Sequence, residues 1–306
     1  ADGGVWAEPV QPLNGRRILT LDGDKGWQGR QMRGERIPAY EKFDAKNRHL
    51  LDHWAVWNGF RLSQTTADAF SIRKRTHADR PWIGTFSGTR APGYVFAGDI
   101  SGGLGVALKD FWQSYPTALQ VDNAAARNAR LTVWMWSPDA EPMDLRHYDN
   151  VAHDLEASYE DVQEGMSTPY GVARTHTLTL VPSVAYGGKE TVARTAVMLA
   201  EDAPLLCTPE YLHAKHAFGV WSLPDRSNLK RARVEDRLKD YLDYYVKAVD
   251  QHRWYGFWNY GDFMHTYDSV RHTWRYDVGG YAWDNTELAS NMWLWYSFLR
   301  TGRADL

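Results

Sequence analysis

Residues 229–253 read LKRARVEDRLKDYLDYYVKAVDQHR, and the apolar or aromatic positions Val234, Leu238, Leu242, Tyr245, Val246 and Val249 recur mostly at three- and four-residue intervals. That spacing collects them on one face of an amphipathic helix. Toward the N-terminus, residues 191–200 (TVARTAVMLA) show the same helical period. Toward the C-terminus, a helix is expected from Glu287 to Arg300, with Asn285 or Thr286 near its cap and Gly302 just beyond its end. From about Glu190 onward the chain therefore reads as helical.

Before that point the period changes. Residues 16–21, 53–57, 70–73, 94–97, 105–108, 131–136 and 176–181 are short β-rich segments separated by Gly, Pro, Asp and Asn clusters. Strands at this spacing suggest a sandwich or a large antiparallel assembly. In residues 131–136, Leu131, Val133 and Met135 alternate with Thr132, Trp134 and Trp136, which puts two tryptophans on one face that another part of the protein should cover. The expected fold class is mixed β and α, with a β-rich sandwich-like domain over residues 1–185 and a helical region over residues 186–306.

The 306 residues, 43% hydrophobic and 24% charged with a formal net charge of -3, describe a globular chain without the basic excess of a nucleic-acid binder. No apolar run is long enough for a membrane span. The start, ADGGVWAEPVQPLNG, lacks the basic head and apolar centre of a secretory signal, so an exported protein would carry it in processed form. Cys207 stands alone and is expected to be a buried small hydrophobe. Fifteen Trp, 17 Tyr and 10 Phe are many for core packing, and indoles with flat faces and a polar N–H suit pyranose rings.

The aromatics concentrate in the connection at 258–285, which begins WNYGDFMHTYDSVRHTWRYD. Long ordered connections of this kind usually carry function. Trp258, Tyr260, Trp274, Tyr276, Tyr281 and Trp283 offer rings for stacking, and Arg271 and Arg275 offer bidentate donors for a carboxylate. His265, His272 or a tyrosine can move a proton. An acidic sugar needs all three services. The same residue types also serve to pack loops on a helical scaffold while Arg and Asp pair with each other.

Other constellations weigh less. His213 and His216 can share a helix face and, with His265, sketch a metal site, but no HExxH accompanies them. Residues 99–105 (DISGGLG) lack the lysine of a phosphate loop and read as a turn between strands. Glu156, Glu160, Asp161 and Glu164 form an acidic cluster that reads as a solvated face; no cofactor is expected, with calcium an alternative that the loop spacing does not support.

Five longer segments resemble one family. DFWQSYP (110–116), WSPDAEPMDLRHYD (136–149), YEDVQEGMSTPYGVART (159–175), YGDFMHTYD (260–268) and RHTWRYDVGGYAWDNTEL (271–288) are similar to the exo-acting rhamnogalacturonan lyases, also called YetA-like. The likeness runs from about residue 85 to the end. It implies a β-sandwich-like domain followed by the first helices of an α/α toroid, and β-eliminative cleavage of an acidic polysaccharide, with an extracellular or periplasmic location. A toroid needs more helices than these, so the sequence resembles the front portion of a longer protein.

For that reaction, chemistry and the position of the motif select Arg271 and Arg275 to neutralise the uronate carboxylate. His265 and Tyr267 are selected as base and acid, with Tyr260 and His272 as substitutes. Trp258, Trp274 and Trp283 would be sugar platforms, with Tyr276, Tyr281 and Asn285 beside them. The partner is an acidic polysaccharide or oligosaccharide. A glycoside hydrolase and a non-catalytic carbohydrate-binding protein are the alternative readings.

Overall fold

A computed structural model describes residues 4–7, 11–14, 40–42, 44–46, 48–49, 57–99, 102–124, 126, 128–141, 173–201, 205–257, 259, 261–275, 283–284 and 286–306. Its first unit is built on ten strands: β1 (Gly4–Ala7), β2 (Gln11–Asn14), β3 (Gly59–Thr66), β4 (Ala69–Arg75), β5 (Ile83–Gly88), β6 (Tyr94–Asp99), β7 (Gly102–Leu108), β8 (Thr117–Asp122), β9 (Arg130–Trp134) and β10 (Leu178–Ser183). They form two antiparallel five-stranded sheets, ordered β10-β7-β6-β1-β2 and β5-β4-β3-β8-β9.

The period-2 alternation of side chains decides what each sheet buries. Phe60, Leu62, Phe70, Ile72, Leu119 and Val121 of the second sheet meet Val95, Val106 and Leu108 of the first in one apolar cluster. Leu131, Val133 and Met135 pack on that cluster, so Trp134 and Trp136 occupy the opposite set, as the alternation predicts. The residues between, Tyr94, Phe96 and Ala107, turn to the other face of the first sheet. There they are covered by Val192 and Ala196 of helix α1 (Lys189–Ala200) and by Tyr186. Gly105 makes room for this layer, since a Cβ there would sit 2.0 Å from the Tyr94 hydroxyl. The order is sheet, core, sheet, helix.

β6 and β7 pair from Tyr94 and Ala107 to Asp99 and Gly102, so residues 102–105 of the glycine-rich stretch expected to turn are strand, and residues 100 and 101 lie outside the described residues. The proposed strand at 16–21 and the acidic face at 156–164 lie outside the described residues, as does residues 53–56 of the segment at 53–57.

The second unit carries helices α2 (Pro209–Ala214), α3 (Leu229–His252) and α4 (Ser290–Thr301). Asn228 caps α3, its side chain accepting from the N–H groups of Lys230 at 3.1 Å and Arg231 at 3.0 Å. Only Leu242 and Ala248 of α3 are fully buried; Val234, assigned by the sequence to the apolar face, is 59% exposed. The last helix starts later than expected. A 3-10 turn occupies Thr286–Leu288, and Ala289, at φ 60 in the left-handed region, separates it from α4 and caps it without a side-chain bond. Gly302, also left-handed, ends α4 as predicted.

The connection between α3 and α4 contains more order than the sequence suggested. Its described residues include four two-residue strands, β11 (Phe263–Met264), β12 (Tyr267–Asp268), β13 (Thr273–Trp274) and β14 (Trp283–Asp284), paired β11 with β14 and β12 with β13. Among the described residues, no helix is long and apolar enough to cross a membrane.

Candidate functional site

The β12–β13 hairpin pairs Tyr267 with Trp274 and Asp268 with Thr273, and the Arg275 N–H continues it to the Thr266 carbonyl at 3.1 Å. Six of the residues selected from the sequence, His265, Tyr267, Arg271, His272, Trp274 and Arg275, therefore lie on one short piece of chain. Its tip is organised by Asp268. That carboxylate accepts from the Val270 N–H at 2.9 Å, the Arg271 N–H at 3.0 Å and Arg271 Nε at 2.8 Å. The Arg271 backbone bond first, and then its guanidinium, hold Asp268 at about 2, below the usual carboxylate range. His272, at φ 55, completes the turn.

The base of the hairpin is an aromatic clasp. Trp274 is half-buried, its ring 5.4 Å from that of His252 and 6.0 Å from that of Trp254, and Tyr267 meets its edge at 5.3 Å. Trp254, Phe263 and Met264 form a buried cluster with Ala248 of α3. Trp274 thus fastens the hairpin, while His265, Tyr267, Arg271 and His272 stay exposed. His265 Nδ1 lies 3.0 Å from Thr266 Oγ1. Behind this cluster, Tyr245 stacks on Phe263 with ring centroids 3.7 Å apart. Burial, and secondly the Asp284 carboxylate, push its hydroxyl up to about 12, so it stays protonated at neutral pH. Tyr245 and Asp284 were not selected from the sequence, because one reads as helix face and the other as one acid among many. Trp258, Tyr260, Tyr276, Tyr281 and Asn285 lie outside the described residues, and Trp283 is described only as backbone of β14.

A second constellation belongs to the first unit and unites segments that are far apart in sequence. Arg174 donates through Nη1 to the carbonyls of Phe257 at 2.9 Å and Gly256 at 3.3 Å, and through Nη2 to Ser114 Oγ at 3.1 Å. The N–H groups of Gly256 and Phe257 in turn reach the carbonyls of Gln113 and Tyr115, each at 2.7 Å. Trp136 meets the edge of Phe257 at 5.6 Å, and His176 lies 5.8 Å from the same ring. His176 titrates below an ordinary histidine, first because burial disfavours its cation and then because Arg174 is nearby. Gln113, Ser114, Tyr115, Trp136 and Arg174 all come from the quoted motifs. The signal that could have found this cluster was the motif set itself, not any short pattern.

Two expectations are corrected. Cys207 is exposed rather than buried, in the coil before α2 where Leu205 and Leu206 are exposed too. His213 and His216 do not share a helix face: α2 ends at Ala214, His216 turns to φ 53, and His213 packs edge-on against Trp221 at 5.3 Å. Among the described residues, no three His, Cys, Asp or Glu side chains gather as metal ligands would.

Comparison with known proteins extends the resemblance over the first 84 residues as well. A family model described as PcRGLX-like protein central beta sandwich domain matches residues 1–197. Another, PcRGLX-like protein C-terminal alpha/alpha toroid domain, matches residues 202–306. Over 314 aligned residues the chain is 38% identical to the uncharacterized protein YetA of Bacillus subtilis (strain 168); the alignment covers 99% of this chain and 35% of YetA. The chain thus spans about a third of the length of that relative.

Proposed function

This chain belongs to the PcRGLX-like family, the rhamnogalacturonan lyase group its motifs resemble, and we propose that it is part of a polysaccharide lyase that cleaves a rhamnose- and uronate-containing polymer by β-elimination. The observation that carries this reading, beyond membership, is the β12–β13 hairpin with its flanking residues, which brings the exposed His265, Tyr267, Arg271 and His272 and the half-buried Arg275 onto one short piece of chain.

In the proposed reaction a base removes the C5 proton of the uronate, electrons move to form the C4–C5 double bond, and the 4-linked oxygen leaves with a proton. The C5 proton is weakly acidic, so the carboxylate beside it needs a cation to hold the enolate-like charge. Arg271 and Arg275 serve there. Asp268 fixes the Arg271 guanidinium by its Nε and so limits the rearrangement needed on binding. His265 and Tyr267 act as base and acid, with His272 and Tyr260 as substitutes, and Trp258, Trp274 and Trp283 serve as sugar platforms with Tyr276, Tyr281 and Asn285. Such a substrate fits an extracellular or periplasmic location.

The test is absorbance. Full-length protein supplied with rhamnogalacturonan should produce the ultraviolet rise of an unsaturated uronate. Reducing ends without that rise would indicate hydrolysis, and binding with unchanged polymer length would indicate a carbohydrate-binding protein; either result sinks the lyase reading.

A further inference from the structure

The outward face of the sheet β5-β4-β3-β8-β9 is cationic. Register places Arg73, Arg61, Gln120 and Thr132 side by side across β4, β3, β8 and β9, and Asp122 opposite Arg130 one step along. Most of the middle is satisfied internally. Arg61 donates Nε to Gln120 at 2.8 Å and Nη1 to Asp139 at 2.7 Å, and is 9% exposed. Arg73 approaches the same Asp139 at 3.4 Å. Arg61 and Arg75 also lie over the Trp82 indole, 4.4 and 4.2 Å from its centroid.

At one end of this face is a cleft of about 150 Å³ lined by Asn58, Arg75, His77, Asp122, Asn123 and Arg130 together with Gly59 and Ala78. Six of its eight lining residues carry hydrogen-bonding side chains, with apolar stems and backbone between them. Asp122 at its side is fully engaged: Oδ1 accepts from Arg75 at 3.0 Å, and Oδ2 accepts from Gln120 at 2.7 Å and Arg130 at 3.1 Å. Gly59 lets Arg75 cross the sheet to reach it, since a Cβ at that position would meet Arg75 Cγ at 2.9 Å. The carboxylate therefore positions two guanidinium groups, one of which, Arg130, remains 71% exposed. Within the lining, Arg75 and Arg130 face Asp122, two cations to one anion, and beside the cleft the Asp79 carboxylate lies 2.5 Å from His77 Nδ1 and 3.7 Å from Arg80 Nε.

We propose that this cleft binds a uronate residue of an acidic oligosaccharide, with Arg130 taking the sugar carboxylate and the side chains of His77, Asn58 and Asn123 meeting its hydroxyls. The ligand class follows from the lining: an excess cation for a carboxylate, amides and an imidazole for hydroxyls, and a volume suited to one ring. The site belongs to the sandwich unit and does not depend on the lyase reading.

Titrating the chain with trigalacturonate and following the backbone resonances of Gly59, His77 and Asn123 tests it. These resonances report the cleft alone, whatever binds at the hairpin. They should shift with trigalacturonate and stay in place with neutral maltotriose. Arg130→Gln should raise the local Kd about tenfold, the loss of one charge-assisted bond. Arg80→Gln, outside the lining, should leave it unchanged. Unmoved resonances, equal response to maltotriose, or an unchanged Kd in Arg130→Gln would overturn the proposal. So would an equal affinity for inorganic phosphate, which would make the cleft an unselective anion site. An Arg130→Gln protein that melts as the parent does excludes a folding defect, and His77→Ala, at an exposed position, gives a second reading. No ultraviolet product enters this measurement, so the lyase reading and this site can fail separately.

Discussion

At the scale of single residues, Asp268 shows how a loop tip fixes its own charge. Its ordinary value is 3.8 and its folded value about 2. The folded state thus binds the proton less readily than the unfolded chain, so this carboxylate's contribution is present above about pH 4 and lost as pH falls through 2. A carboxyl carbon NMR titration should give a midpoint near 2. In Arg271→Ala it should rise part of the way toward 3.8, because the backbone bonds remain. A parent midpoint at 3.8 would mean the tip bonds do not persist in solution. Tyr245 runs the opposite way. Its hydroxyl, ordinarily 10, is pushed up to about 12, so its contribution is complete below pH 10 and disappears as pH rises through 12. Ultraviolet titration should show a late-ionising group of phenols that includes Tyr245 alongside Tyr115 and Tyr186, which burial also pushes up, and Tyr245→Phe should remove one phenol from that group. For Arg271 the sequence left two readings open, pairing with Asp and gripping a carboxylate; the pairing is observed, and the grip is what an assay must decide.

At the scale of elements, α3 combines a formed N-terminus with a thinly buried face. Asn228→Ala removes the acceptor for two N–H groups and should cost about 0.5–2 kcal/mol in urea unfolding. Val234→Ala, on the same helix but exposed, should change stability by less than about 0.5 kcal/mol. Equal losses would show that the stripe, not the cap, holds the helix. The elements were legible where apolar residues dominate or recur with a clear period: β4, β6, β7, β9, β10, α1 and α3 were all foreshadowed. It was not legible in β3 and β8, where Arg61, Ser63, Gln64, Gln120 and Asp122 are buried through hydrogen bonds rather than by being apolar. Polar networks erase the alternation that sequence reading relies on. Two-residue ladders such as β12–β13 are too short to have a period, so the candidate hairpin read as irregular chain although its chemistry was recognised.

At the scale of the molecule, residues 256–257 show that the sandwich unit is assembled from distant parts of the chain. These residues cluster with the strands, although Tyr255 before them and Asn259 shortly after belong to the helical unit. They are held by four backbone and guanidinium bonds of 2.7–3.3 Å and by the rings of Trp136 and His176. Arg174 is the cation among these contacts, with acceptors on Phe257, Gly256 and Ser114. Arg174→Ala leaves those acceptors to water and removes charge-assisted bonds worth about 1.5–3 kcal/mol each before compensation. The Gly256 and Phe257 amides, bonded to Gln113 and Tyr115, should then exchange with deuterium at least about tenfold faster, while amides of β3 and β8 keep their protection. Arg174→Lys should restore little, because one ammonium group lacks the planar fork that reaches three acceptors at once. If protection at Gly256 and Phe257 is unchanged in Arg174→Ala, the Phe257 ring rather than the guanidinium secures the segment, and Phe257→Ala becomes the variant that releases it.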